Sequence, residues 1–171
     1  MTVQLLYVEG SETAAKRFVN LARLRRRARW HVNRVNDAYE AIDYLSGFQN
    51  FADRVRFPLP HMVWLSLSAR TRNGLDLLAW LRGASRFRRL RVIVATGAAT
   101  NLEQVSAREL APGAWFAHTS DYHDVLGSLE NLVVGPWPTA LRAGESQRNH
   151  ACHEPACNCS LDWTSAVRYA A

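Results

Sequence analysis

Five times between residues 3 and 134 the sequence repeats one pattern: a short apolar run, then a stretch whose apolar residues recur at helical spacing. The apolar runs are Val3–Val8, His31–Val35, His61–Leu67, Arg91–Thr96 and Trp115–His118. Runs of this length, rich in branched and aromatic residues, suit strands. After the first, Ala14, Phe18, Leu21 and Leu24 recur three or four apart and predict a helix from Ser11 to about residue 28. Ala38, Ile42 and Leu45 predict a second helix, from Asp37 to Gly47; Leu75, Leu78 and Leu81 predict a third, opened by Asn73-Gly74. A fourth runs from Thr100 to just before Pro112-Gly113, and a fifth from Asp121 to Gly135-Pro136. Ser11, Asp37 and Thr100 are residue types whose side-chain oxygen can accept from the free amides of a first turn. Glu40 and Glu103, three residues after two of them, predict reciprocal capping boxes. Strands that alternate with helices are joined by right-handed crossovers and pair in parallel. The predicted fold is therefore α/β: a doubly wound, five-stranded parallel sheet in the order 2-1-3-4-5, with two helices on one face and three on the other. Ligands of such sheets gather beyond the carboxyl ends of the strands. The residues just after each strand are the candidates for function.

Composition narrows the class. A chain of 171 residues makes one domain, expected at 1–137, with a C-terminal tail at 138–171. At 48 % hydrophobic and 21 % charged residues, global disorder and collagen-like repeats are excluded. No apolar run approaches the length of a membrane span, and MTVQLLYVEG lacks the basic start and cleavage site of a signal peptide, so a cytoplasmic protein is expected. The net charge of +6 belongs to residues 1–137, which hold 18 Lys/Arg against 12 Asp/Glu; the tail holds three of each. A positive field suits an acidic partner. No reader motif for DNA follows, so nucleic acid is disfavoured. All three cysteines lie in the tail, which excludes a disulfide framework in the body.

Motifs in order along the chain resemble the receiver domain of bacterial response regulators, a flavodoxin/CheY-like fold, and within it the small stand-alone regulators paired with phytochromes. The resemblance covers residues 3–134. Val8-Glu9-Gly10-Ser11 is similar to the acidic motif after the first strand, and Asn36-Asp37-Ala38-Tyr39-Glu40-Ala41-Ile42-Asp43-Tyr44-Leu45 to the second helix. The loop from Phe51-Ala52-Asp53 to Pro58 matches the insertion of the phytochrome-linked subgroup. Ser66 to Gly74 keeps the interval from phosphoacceptor to glycine. Val92-Ile93-Val94-Ala95-Thr96 matches the fourth strand with its hydroxyl residue, and Gly113-Ala114 the turn before the fifth.

The departures fall on the chemistry. The resemblance implies an aspartate nucleophile where Ser66 stands, and a second acid where Gly10 stands. It implies a phosphate-pairing lysine where Ser120 stands, with Asp121 replacing the adjacent proline. A hydroxyl is a poor nucleophile without an adjacent base, and Leu65 to Asn73 offers none. Magnesium takes oxygen ligands, chiefly carboxylates, and Glu9 alone remains. Glu9, Gly10, Ser66, Thr96 and Ser120 thus read as a degenerate phosphoacceptor pocket with no catalytic residue, metal or cofactor. The expected function is signal transduction without enzymatic activity, by phosphorylation-independent contact with a signalling protein (a histidine kinase or another regulator), as a homodimer.

Trp115 and the run Arg25, Arg26, Arg27 are candidate interface residues, because aromatics concentrate at interface centres and cations suit acidic partners. Solvation of a helix end is the plainer reading of the arginines. In the tail, His150, Cys152, His153, Cys157 and Cys159 are soft ligands at short spacing, so a metal- or redox-responsive tail is an alternative. Modification of Ser66 by a serine kinase is another.

Overall fold

A computed structural model describes residues 2–26, 28–68, 71, 73–87, 90–97 and 99–117, together with residues 122, 126, 127, 129 and 130. All of these belong to the compact unit Met1–Val134; Gly135–Ala171 forms the other unit.

The elements follow the alternation. β1 (Thr2–Val8), β2 (Arg29–Val35), β3 (Met62–Ser66), β4 (Arg91–Ala95) and β5 (Trp115–Ala117) form one sheet in the order β2-β1-β3-β4-β5. Every pair is parallel. The helices are α1 (Glu12–Leu24), α2 (Ala38–Ser46), α3 (Gly74–Gly83) and α4 (Asn101–Leu110). Tyr122, Leu126, Gly127, Leu129 and Glu130 are helical too; the rest of the predicted fifth helix lies outside the described residues.

Alternate residues of each strand feed two cores. On one face, Val3, Leu5, Tyr7, Trp64 and Ile93 pack with Phe18 of α1 and with Leu126 and Leu129. On the other, Leu6, Val8, Val63, Leu65 and Val94 pack with Leu45 of α2, Leu77 and Leu78 of α3, and Ala107 of α4. β3 is buried at every position because it is central and covered on both faces. The first core is aromatic: Tyr7 stacks on Phe18 at 4.3 Å, and Trp64 meets Phe18 edge-on at 4.7 Å between ring centroids.

The caps hold, with two corrections. Ser11 accepts from the Ala14 N–H, and Thr100 forms the full box with Glu103. Asp37 accepts from the Glu40 N–H at 3.0 Å, but Glu40 reaches back one residue further than expected and accepts from the Asn36 N–H at 2.7 Å. The first helix stops at Leu24, four residues before the periodicity predicts. Arg25 is extended, and the chain must be a strand by Arg29, which pairs with Thr2. Ala28, 3 % exposed, joins the core that Phe18 of α1 covers. Gly47 closes α2 in the left-handed conformation, φ 74°.

Candidate functional site at the carboxyl end of the sheet

Register brings the expected pocket together. Val8 is opposite Leu65, so Glu9 and Ser66 are the next residues of adjacent strands. Ser66 is opposite Ala95, and Thr96 follows it. Glu9 and Ser66 are each 3 % exposed, and Thr96 is half-buried. Glu9, Gly10, Ser66 and Thr96 therefore sit where the sequence places them. Ser120 lies outside the described residues, as do Arg27 and the tail residues His150, Cys152, His153, Cys157 and Cys159.

Several polar groups of the loops here are bonded to one another. Glu9 Oε1 accepts the Ser11 N–H at 2.7 Å, which turns the carboxylate onto the first turn of α1. The Glu9 carbonyl accepts from Arg34 Nε at 3.2 Å. Thr71, 3 % exposed, was not singled out in the sequence, yet it joins the two loops of the site. Its Oγ1 accepts the Gly10 N–H at 3.1 Å, across 61 residues of chain. The loop doubles back to make this possible: the Thr71 N–H donates to the Ser68 carbonyl at 3.0 Å, and the two residues form an isolated antiparallel bridge. Glu103, also near this end, accepts from the N–H and hydroxyl of Thr100 at 2.7 and 2.8 Å. Glu9 and Glu103 thus serve the starts of α1 and α4; Asp76 stands in the first turn of α3.

Beside the loop lies an open cleft of about 320 Å³, lined among others by Ser68, Thr71, Asp76 and Glu103. Asn73 enters α3 with φ 59°, a left-handed conformation that asparagine tolerates. Gly74 packs so tightly that a Cβ there would come within 2.8 Å of Leu67 Cδ2.

Two residues before Glu9, the Tyr7 hydroxyl is buried and has no hydrogen-bond partner of good geometry among the described residues. Burial pushes its ionisation far above the ordinary phenol range, and the neighbouring Tyr122 and Glu9 push it further. Burial also raises Tyr122.

Trp115 is half-buried against the aromatic core, and Arg25 lies against Gly127, where its guanidinium would be 3.5 Å from an added Cβ. Arg26 is exposed.

No family model matches the sequence, and no curated protein matches it. Among solved structures the chain is similar to the phosphorylated cyanobacterial phytochrome response regulator RcpA, with 19 % identity over 79 % of this chain and 96 % of that one and a TM-score of 0.65. It is also similar to response regulator RPA3017 in red light signaling of R. palustris (24 %, 76 % and 92 %, 0.64) and to the bacteriophytochrome response regulator AtBRR (23 %, 79 % and 95 %, 0.60). The fold is that of the CheY-like receiver domains.

Proposed function

We propose that this protein is a receiver-fold signalling module that binds a signalling partner without being phosphorylated and without catalysing a reaction. The observation that carries the reading is the set of internal bonds at the carboxyl end of the sheet. Phosphoryl transfer to a receiver needs a nucleophile, a cation that neutralises the transferring group, and a positive side chain for the product. Ser66 supplies a hydroxyl that stays protonated at neutral pH. Glu9 supplies one carboxylate, whose Oε1 already accepts the Ser11 amide. That donor set does not fit a divalent cation, which takes several hard oxygens and prefers multiple carboxylates. The third position in sequence, Ser120, carries no charge. The Gly10–Thr71 bond ties the two loops directly, so their arrangement needs neither metal nor phosphate.

Burial of Ser66 also counts against a serine kinase acting there, because the hydroxyl would have to leave the sheet to reach an active site. We extend the reading to a homodimer that uses the surface around Trp115, and to a tail from residue 138 that folding does not require. Among the described residues no helix is long and apolar enough to cross a membrane.

The test is labelling. Acetyl phosphate or a phosphorylated histidine kinase should leave the protein unmodified on a phosphate-affinity gel. Ser66→Asp alone should stay at most weakly labelled, whereas Ser66→Asp combined with Gly10→Asp and Ser120→Lys should recover labelling. Robust labelling of the unmodified chain at Ser66 would overturn the proposal. Light scattering of the full chain beside Trp115→Glu tests the dimer; a monomer in both refutes it.

A further inference from the structure

A second concavity lies at the opposite, amino end of the sheet. Helices of a parallel sheet run back against their strands, so α2 and α3 end where β3 and β4 begin. There, a groove of about 290 Å³ opens. Leu59 and Pro60 line it from the segment that leads into β3, and Phe87 and Leu90 from the segment that leads into β4. Leu59 is 43 % exposed.

Two polar side chains share the lining, and both are exposed donors: His61 and Arg86. His61 Nδ1 accepts the Gln4 N–H at 2.8 Å. That bond fixes the ring proton of the neutral tautomer on Nε2 and leaves it to donate elsewhere. The Arg86 guanidinium carbon lies 5.2 Å from the centroid of the Phe87 ring, which holds the charge over an apolar wall.

The segment that leads into β4 is short of carboxylates: from Leu77 to Leu102 the sequence has five arginines and no acid. Asp43 of α2 and Glu109 of α4 are the acids in the helix ends on this side of the sheet. Asp53 accepts the N–H groups of Val55 and Arg56 at 2.9 and 3.1 Å. Helix capping accounts for Arg54, which donates to the carbonyls of Tyr44 and Leu45 at 2.8 and 2.9 Å. Arg86 differs: it lies beyond the end of α3, against Phe87.

We infer that this groove takes an acidic peptide segment of a partner protein, with one apolar side chain seated among Leu59, Phe87 and Leu90 and flanking carboxylates on Arg86 and His61. Apolar anchoring in a groove with charge-assisted hydrogen bonds at its rim is a recurrent way to hold a peptide. The inference deepens the protein-recognition reading, since it assigns the partner's chemistry and the face it meets.

The experiment is fluorescence anisotropy on the full chain. The probes are a labelled peptide Glu-Asp-Glu-Leu-Phe-Glu-Asp-Glu, an oligoglutamate of equal length and a single-stranded DNA oligonucleotide. The first peptide should bind saturably at low salt and more weakly at high salt. Arg86→Glu and Leu59→Asp should each weaken it about tenfold or more, with circular dichroism and melting temperature unchanged. Arg17→Glu, on α1 at the other face, should leave binding unchanged. Absence of saturation at about 1 mM peptide overturns the inference. So does unaltered binding by both groove variants, or equal affinity for oligoglutamate or DNA, which would reduce the groove to a general positive field. Labelling of the unmodified chain by acetyl phosphate would refute the phosphorylation-independent reading and leave this result intact.

Discussion

The two ends of the sheet handle polar groups in opposite ways. At the carboxyl end several bond to one another: Glu9 to Ser11, Gly10 to Thr71, Thr71 to Ser68, Glu103 to Thr100. At the amino end, Arg86 and His61 are exposed beside apolar side chains and carry donors that no nearby carboxylate in sequence answers. Polar groups that satisfy one another stabilise a fold; exposed charged groups contribute little to stability and are free to meet a ligand. In the reading proposed above, the crevice where this fold class ordinarily does chemistry serves the structure, and recognition falls to the opposite end.

The largest expected effect lies under the carboxyl end. Tyr7 ionises far above the unfolded phenol value of about 10, so the folded state keeps a proton that the unfolded state loses. That contribution is complete below pH 10 and is lost as pH rises above it, by about 1.4 kcal/mol per pH unit for this one group. Urea unfolding should show stability falling between pH 10 and pH 12, with Tyr122 contributing beside Tyr7, and Tyr7→Phe should make that fall smaller. An equal drop in the Phe variant would mean that Tyr7 does not control the alkaline limb.

Thr71→Val comes next. It keeps the shape and removes the acceptor of the Gly10 amide, at a cost of about 1–2 kcal/mol. A smaller loss would show that water replaces the hydroxyl and would weaken the contrast between the ends.

At the amino end, Arg86→Gln should change stability by less than about 0.5 kcal/mol, as exposed substitutions usually do. A loss near that of Thr71→Val would make Arg86 a structural residue and collapse the comparison.

The smallest effect is none at all. Magnesium at millimolar levels should give no saturable change in the fluorescence of buried Trp64, since among the described residues Glu9 is the acid that follows a strand adjoining Ser66. A saturable response that disappears in Glu9→Gln would restore a metal site.

The sheet order was legible because its cause is local and repeated: apolar runs, helical spacing and caps such as Thr100 with Glu103. The end of α1 was not, because Arg23 to Arg29 consists of good helix formers and contains no breaker. Only the pairing of Arg29 with Thr2, a tertiary demand, stops the helix at Leu24. Glu9, Ser66 and Thr96 were legible through the resemblance of the motifs around them to the receiver family, Glu9 just after the first predicted strand and Ser66 and Thr96 near the ends of the third and fourth. Thr71 was not, since its bond to Gly10 needs a loop that folds back on Ser68 before the distant partners can meet. The amino-end groove did leave a trace in the sequence, namely the absence of acids from Leu77 to Leu102 beside five arginines. It reads as mere loop solvation until the fold sets Arg86 beside Leu59 and His61.

The bond between Gly10 and Thr71 also bears on how long the folded protein lasts. It closes a long loop between segments that meet only after β3 has docked on β1. An interaction of such long range, made by loops rather than by the strands that must pair first, forms on the native side of the folding barrier. Its loss therefore acts on escape from the native state and not on arrival. Removing about 1–2 kcal/mol there should leave the refolding rate nearly unchanged and speed unfolding by roughly 5- to 30-fold. A single buried loop hydroxyl thereby lengthens the kinetic lifetime of the whole sheet.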